Sequence, residues 1–194
     1  LDLKLNITYF KTEQKNPLFS NARTDWVMRN GTGRNTSEGV EFNANWKPTN
    51  SKFGLNFGYT FTDSYDASTC DPDELASYAD NECRLTGNKV AKAKVRVPRH
   101  AVKTNISYSM NQNLNFFLKG TYIGETRDFG NTNDSWTDQI LTDYFVFDLV
   151  NSYNLFDNYK IQIGINNILD EKYQQAHEYS TMGRTFNFGI RKVY

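Results

Sequence analysis

Apolar and polar residues alternate with a period of two through most of the chain, and that alternation predicts β-strands with one greasy face. Leu1, Leu3, Leu5, Ile7 and Tyr9 oppose Asp2, Lys4, Asn6 and Thr8, and Val40, Phe42, Ala44 and Trp46 oppose Glu41, Asn43, Asn45 and Lys47. The strongest strand sets Phe53, Leu55, Phe57, Tyr59 and Phe61 against Gly54, Asn56, Gly58, Thr60 and Thr62. Further strands are predicted around Val102–Met110, Leu114–Tyr122, Phe145–Tyr153 and Tyr159–Ile165. In the last, Phe186, Phe188, Ile190 and Tyr194 oppose Thr185, Asn187, Gly189 and Arg191, with Lys192 on the apolar register, where only a snorkelling stem is tolerable.

The connections alternate as well. Short turns at Pro48–Ser51, Asn111–Asn113 and Phe156–Asn158 separate long polar stretches at about 63–98, 125–141 and 169–182. Sandwiches have no reason to collect their long connections at one end, whereas outer-membrane barrels keep short periplasmic turns and long extracellular loops. The expected fold class is therefore all-β, an antiparallel transmembrane β-barrel segment of about eight strands. Phe53, Leu55, Phe57, Tyr59 and Phe61 are expected to face lipid, and Asn56, Thr60, Lys103 and Asn105 the lumen. The lumen faces are rich in Gly, Asn, Ser and Thr, which would leave voids in a small self-contained barrel and favours a segment of a wider one.

Composition changes this picture little. The 194 residues are 38% hydrophobic with a formal net charge of zero, which offers no electrostatic footprint for nucleic acid. Mean hydropathy is −0.69 and no apolar run reaches the roughly 18 residues of a membrane helix, yet a barrel is that polar because only alternate residues meet lipid. Cys70 and Cys83 lie close together in an acidic segment without a second Cys or His pair; a disulfide is favoured there over a metal site. His100 and His177 lack a nucleophile motif, Gly31-Thr32-Gly33 is followed by no helix pattern, and Asp71-Pro72-Asp73-Glu74 lacks the spacing of a calcium loop. No enzymatic activity, metal or cofactor is expected. What remains is binding at the outer mouth: Trp136, Tyr173, His177 and Tyr179, each with flat area and a polar tip, suit a large amphipathic ligand, and Arg127 stands in the same polar loop as Trp136.

Several strings resemble a known family. Gly39-Val40-Glu41, Tyr59-Thr60-Phe61-Thr62-Asp63-Ser64, Val97-Pro98-Arg99-His100, Asn166-Asn167-Ile168-Leu169-Asp170-Glu171-Lys172-Tyr173 and Gly183-Arg184 before an aromatic final strand resemble the C-terminal barrel of TonB-dependent outer-membrane receptors. The acidic cysteine-bearing loop running into Val97-Pro98-Arg99-His100, and the string Tyr179-Ser180-Thr181-Met182-Gly183-Arg184, look most like the cobalamin branch, although siderophore receptors share most of these strings. The resemblance implies a 22-stranded barrel in the Gram-negative outer membrane, with residues 1–194 as its C-terminal part and the plug domain and earlier strands absent from this sequence. It implies a scarce large nutrient as ligand, cobalamin or alternatively a ferric siderophore or haem. It also implies TonB as the energy-delivering partner, engaged by a segment before the plug. A tyrosine of the last extracellular loop touches the ligand in the cobalamin receptors, and Tyr179 matches it by its distance from Gly183-Arg184. A small structural or adhesin barrel is the competing class.

Overall fold

The computed structural model describes residues 2–16, 18–20, 28–30, 34–67, 92–132, 135–156 and 158–192. In chain order the strands are β1 (Leu3–Lys15), β2 (Leu18–Ser20), β3 (Met28–Asn30), β4 (Arg34–Trp46), β5 (Phe53–Ala67), β6 (Lys92–Ala93), β7 (His100–Ser109) and β8 (Leu114–Ile123). They continue as β9 (Thr126–Thr132), β10 (Ser135–Leu141), β11 (Tyr144–Leu155), β12 (Tyr159–Asn166), β13 (Gln174–Ala176), β14 (Tyr179–Ser180) and β15 (Thr185–Lys192). Eight of them form an antiparallel meander in the order β1-β4-β5-β7-β8-β11-β12-β15, with β6 added to the far end of β5. Among the described residues the two outermost strands, β1 and β15, do not pair with each other, so the sheet is an unclosed arc of a barrel wall.

The register explains the alternation. Leu3, Trp46, Leu55, Ile106, Leu118, Leu149, Ile165 and Phe186 are successive cross-strand partners, one apolar row running the width of the sheet. A parallel row runs through Ile7, Phe42, Tyr59, Val102, Tyr122 and Phe145. One residue along, and therefore on the other face, Lys4, Asn45, Asn56, Asn105, Lys119 and Asp148 are successive partners. A one-residue slip in any pair would exchange the two faces.

Burial is inverted relative to a water-soluble sheet. Leu141 is the one apolar side chain that is buried among the described residues, while Ile7 is 71% and Phe186 74% exposed. An apolar face this continuous is tolerated only against lipid or a partner, and it excludes a soluble sandwich, which would cover it with a second layer. Phe53 to Phe61 spans eight residue steps, about 27 Å of strand at roughly 3.4 Å per residue. A tilt of about 40° brings this to about 21 Å along the membrane normal, close to the apolar band of outer-membrane barrels. The opposite face is concave and lined by Lys4, Asn6, Asn43, Asn56, Lys103 and Asn105, so the lumen residues expected from the sequence are lumenal. There Asn45 Nδ2 donates to Asn56 Oδ1 at 2.5 Å, and Lys119 Nζ lies 3.5 Å from Asp148 Oδ2.

The turns at one end are short and self-satisfying. Asn111 Oδ1 accepts from the amides of Asn113 and Leu114 at 2.9 and 2.8 Å, and Ser51 N–H donates to Pro48 O at 3.0 Å. Lys192 lies beside Tyr159 in the ladder, its ammonium 5.8 Å from the ring centroid. This is how a cation on the apolar register is accommodated at the membrane boundary.

Three expectations need correction. The stretch expected to lose its pattern after Asp63 continues as strand to Ala67 and re-pairs through β6. The polar loops expected at 125–141 and 169–182 are ribbons, β9 paired with β10 and β13 with β14. These ribbons stand beyond the lipid, where a buried face can be polar, as Thr126 and Asp128 are beside Leu141, so the alternation that marks a lipid-facing strand is not required. Cys70, Cys83 and the acidic segment around them, like the terminal Tyr194, lie outside the described residues.

The two faces predict different responses to charge. Phe57→Arg, at the middle of the lipid-facing run of β5, should cost about 2–4 kcal/mol in refolding into bilayers, and Asn56→Arg far less. Equal costs for the two variants would show that the faces are assigned wrongly.

Candidate functional site

At the long-loop end the strands outrun the apolar band and their outward face turns polar. Tyr59 Oη and His100 Nδ1 are 2.9 Å apart, and the His100 ring packs against Phe61, which closes the aromatic boundary. Just beyond it stand ion pairs, Lys11 to Glu38 at 3.1 Å and Arg99 to Asp63 at 3.0 Å. Lys11, Glu38 and Arg99 are exposed and Asp63 is half-buried, so these pairs contribute little to stability; they mark where water begins.

Above this level the ribbons converge. Asp128, on β9, is fully buried, its Oδ1 accepting from Arg96 Nε at 2.9 Å and its Oδ2 from the backbone N–H of His177 at 2.7 Å. Arg96 also donates its own amide to Arg127 O at 2.8 Å. Cross-strand partners share a ribbon face, so Asp128 with Gln139 and Thr126 with Leu141 form one face, and Arg127 with Ile140 the other. Of the residues expected to bind ligand, Arg127 and His177 are thus brought together by their backbones. Tyr179 pairs with Ala176 across the β13–β14 hairpin and is 72% exposed, with its ring unused by packing. Trp136 pairs with Asn131 further out along the β9–β10 ribbon.

Tyr173 has a different place. Its ring stacks on Tyr144 with centroids 4.2 Å apart, and Tyr144 carries the lumenal parity of β11, so Tyr173 lines the inner rim rather than the lipid girdle. Thr181 Oγ1 donates to Tyr173 O at 2.7 Å and ties the end of the hairpin back to its start.

The root of this last loop is the string Asn166-Asn167-Ile168-Leu169-Asp170-Glu171-Lys172-Tyr173. Asn167 is buried with a φ of 52°, a conformation Asn tolerates because its short side chain bonds locally. Its Nδ2 donates to Glu171 O at 3.0 Å and its Oδ1 accepts from Glu171 N–H at 2.9 Å, while its own N–H reaches Asp148 Oδ1 at 2.9 Å. Asp170 Oδ1 accepts from Arg184 N–H at 2.8 Å and faces Lys172 Nζ. The Arg184 amide and then the Lys172 ammonium hold the Asp170 carboxyl below its ordinary value of 3.8. A Cβ on Gly183 would lie 2.5 Å from Asp170 Oδ1, so the glycine lets the carboxylate approach. Among the described residues no group of His, Cys, Asp and Glu is disposed to hold a metal ion.

Asp128, Arg96 and Tyr144 were not singled out by sequence. A carboxylate in a polar loop reads as solvated, and its partners lie 32 and 49 residues away.

The family model described as TonB dependent receptor-like, beta-barrel, matches residues 1–168. Among solved structures, the siderophore receptor PiuA from Acinetobacter baumannii aligns with a TM-score of 0.73 at 21% identity, over 99% of this chain and 26% of that one. The pyoverdine outer membrane receptor FpvA from Pseudomonas aeruginosa aligns at 0.73 and 16%, over 100% and 27%. The ferric-catecholate import receptor Fiu from E. coli aligns at 0.71 and 19%, over 98% and 25%. This chain therefore spans about a quarter of the length of the receptors it resembles. No curated protein matches it by sequence.

Two predictions follow from the loop root. Asn167→Ala removes both side-chain bonds to a buried backbone and should destabilise the fold by about 1–3 kcal/mol in urea-dependent loss of heat-resistant migration. Asn167→Gly, which relieves only the backbone strain, should not restore it. The lowered Asp170 carboxyl stabilises the fold above its unfolded value of 3.8, and that contribution is lost as pH falls through the still lower folded value. The Arg184 amide resonance should accordingly titrate with a midpoint below 3.8, and a midpoint at or above it would disprove the bond.

Proposed function

The chain belongs to the TonB-dependent receptor β-barrel family, proteins of the Gram-negative outer membrane, and from that premise we propose that it supplies part of the wall and ligand-binding mouth of a nutrient-uptake receptor. In this reading residues 1–194 are the C-terminal part of a wide barrel. The cargo is a scarce molecule too large for passive pores, and TonB supplies the energy through a segment outside this sequence. The wall carries out no chemistry. It holds a rigid rim on which aromatic and polar groups grip a ligand.

The observation that carries the proposal is Tyr179. A phenol ring left 72% exposed on a hairpin that is otherwise tied down, by Thr181 to Tyr173 and by His177 to Asp128, is a binding surface held ready. Rigid aromatics give contact area at little cost in conformational entropy. Arg127 and His177 stand on the adjoining backbone, with Trp136 further out on the ribbon, and together they provide the polar partners that an anionic or amphipathic ligand needs.

A ferric siderophore is the favoured cargo, supported by what the structural neighbours are, a siderophore receptor, a pyoverdine receptor and a ferric-catecholate receptor. Cobalamin is the second reading. It is supported by Val97-Pro98-Arg99-His100 and by Tyr179-Ser180-Thr181-Met182-Gly183-Arg184, the strings that resemble the cobalamin branch.

In the intact receptor, Tyr179→Ala should weaken ligand binding by about 1–3 kcal/mol, the range of a modest interface anchor, without altering heat-resistant migration of the barrel. Labelled cobalamin and a panel of ferric siderophores titrated onto expressing cells separate the two cargoes. Binding of neither, in cells where the receptor is assembled, would overturn the uptake reading.

A further inference from the structure

Three stretches of chain meet on one carboxylate. Burying Asp128 completely is expensive unless its oxygens are paired, and each is: Oδ1 takes Arg96 Nε at 2.9 Å and Oδ2 takes the His177 amide at 2.7 Å. Arg96 is held a second time, by its own amide on Arg127 O at 2.8 Å, and it sits at a φ of 59°, which a residue with a long side chain keeps only where its surroundings impose it. The hairpin on the far side has little of its own to hold it. Strands β13 and β14 contribute three and two residues with an irregular register between Gln174 and Ala176, and so short a ribbon is marginal by itself. Its tip, from His177 through Glu178 to Tyr179, is joined to the β9–β10 ribbon through the Asp128 carboxylate.

We propose that Asp128 is the positioning residue of the mouth: its carboxylate fastens the Arg96 stretch and the Tyr179 hairpin to β9, so that the three loops keep one arrangement and present Tyr179 at a fixed place. Asp128 does not itself touch ligand, since it is fully buried. Its effect on binding rests on the receptor reading, whereas its effect on the hairpin does not. Replacing the carboxylate by its neutral isostere keeps the shape and removes the charge that pairs with Arg96; replacing Arg96 removes the same pair from the other side and leaves the buried position intact.

The test uses the full-length receptor in native outer-membrane vesicles, as wild type, Asp128→Asn and Arg96→Gln, with hydrogen exchange read peptide by peptide. Asp128→Asn should speed exchange over residues 174–180 by about ten- to a hundredfold, the effect of weakening one charge-assisted hydrogen bond, and Arg96→Gln, which leaves the His177 amide on Asp128 Oδ2, should speed exchange over 94–97 instead, with β12 and β15 unchanged in both. On cells, a panel of ferric siderophores and cobalamin should then associate more slowly with the Asp128 variant while the number of binding sites stays the same, which a general loss of folded receptor would not produce. If Asp128→Asn prevents assembly, Asp128→Ala, which removes both acceptors without leaving a mismatched amide, carries the hairpin test. Unchanged exchange over 174–180 in the assembled Asp128 variant overturns the proposal, as does faster exchange there with an unaltered association rate for a probe the wild type binds. A wild type that binds no probe overturns the uptake reading, and the exchange result still decides whether Asp128 holds the hairpin.

Discussion

Hydrocarbon offers no water to a backbone amide, and an unpaired one there costs several kcal/mol, so a strand in the membrane must be hydrogen-bonded along both sides for its whole length. Everything in this chain follows from that ladder. It requires an unbroken antiparallel sheet, which sets each residue opposite two others, and the pleat then sends alternate side chains outward. Leu3, Trp46, Leu55, Ile106, Leu118, Leu149, Ile165 and Phe186 become one band only because seven successive pairings stay in step. The lumenal rows of Asn, Thr, Gly and Lys are the same constraint seen from the other side: with water in the arc, the inward residues are free to be small and polar.

The same physics decides which parts of the fold could be read in advance. Strands in lipid must alternate, and Phe53 to Phe61 does so without a break, which made β5 and its neighbours plain. The ribbon Thr126–Thr132 with Ser135–Leu141 is strand of comparable regularity, yet its residues follow no apolar rhythm because it stands beyond the lipid and its buried face carries Thr126 and Asp128 beside Leu141. The extension of β5 to Ala67 was hidden for that reason, since Asp63 and Tyr65 keep the outward parity of Phe61 but stand beyond the membrane. Loop-length alternation survived because an antiparallel meander places every second connection at the same end, whatever those connections contain.

For the candidate site, the sequence exposed what projects and concealed what holds it. Tyr179 and His177 were visible as residue types suited to gripping a ligand. Asp128 was not, because a buried carboxylate and a solvated one are the same letter, and only folding brings Arg96 and His177 to it. Tyr173 was ambiguous for a related reason. An aromatic near a membrane boundary is as plausible in a lipid girdle as inside the rim, and the stacking on lumenal Tyr144 is a tertiary fact.

The strings that carry the family resemblance have a physical unity that their separation along the chain hides. Asn167 closes the root of the last loop on itself through Glu171 and on the wall through Asp148, and Asp170 receives the amide of Arg184 where that loop rejoins the sheet. Gly183 has no side chain because Asp170 occupies the space. One string opens the loop, the other closes it, and they touch. Such a clasp holds a long loop to the top of the strands that carry it, whatever the loop then binds. That is why these strings resemble a family and say little about cargo: their bonds are to the backbone of the loop root and reach no further than the sheet.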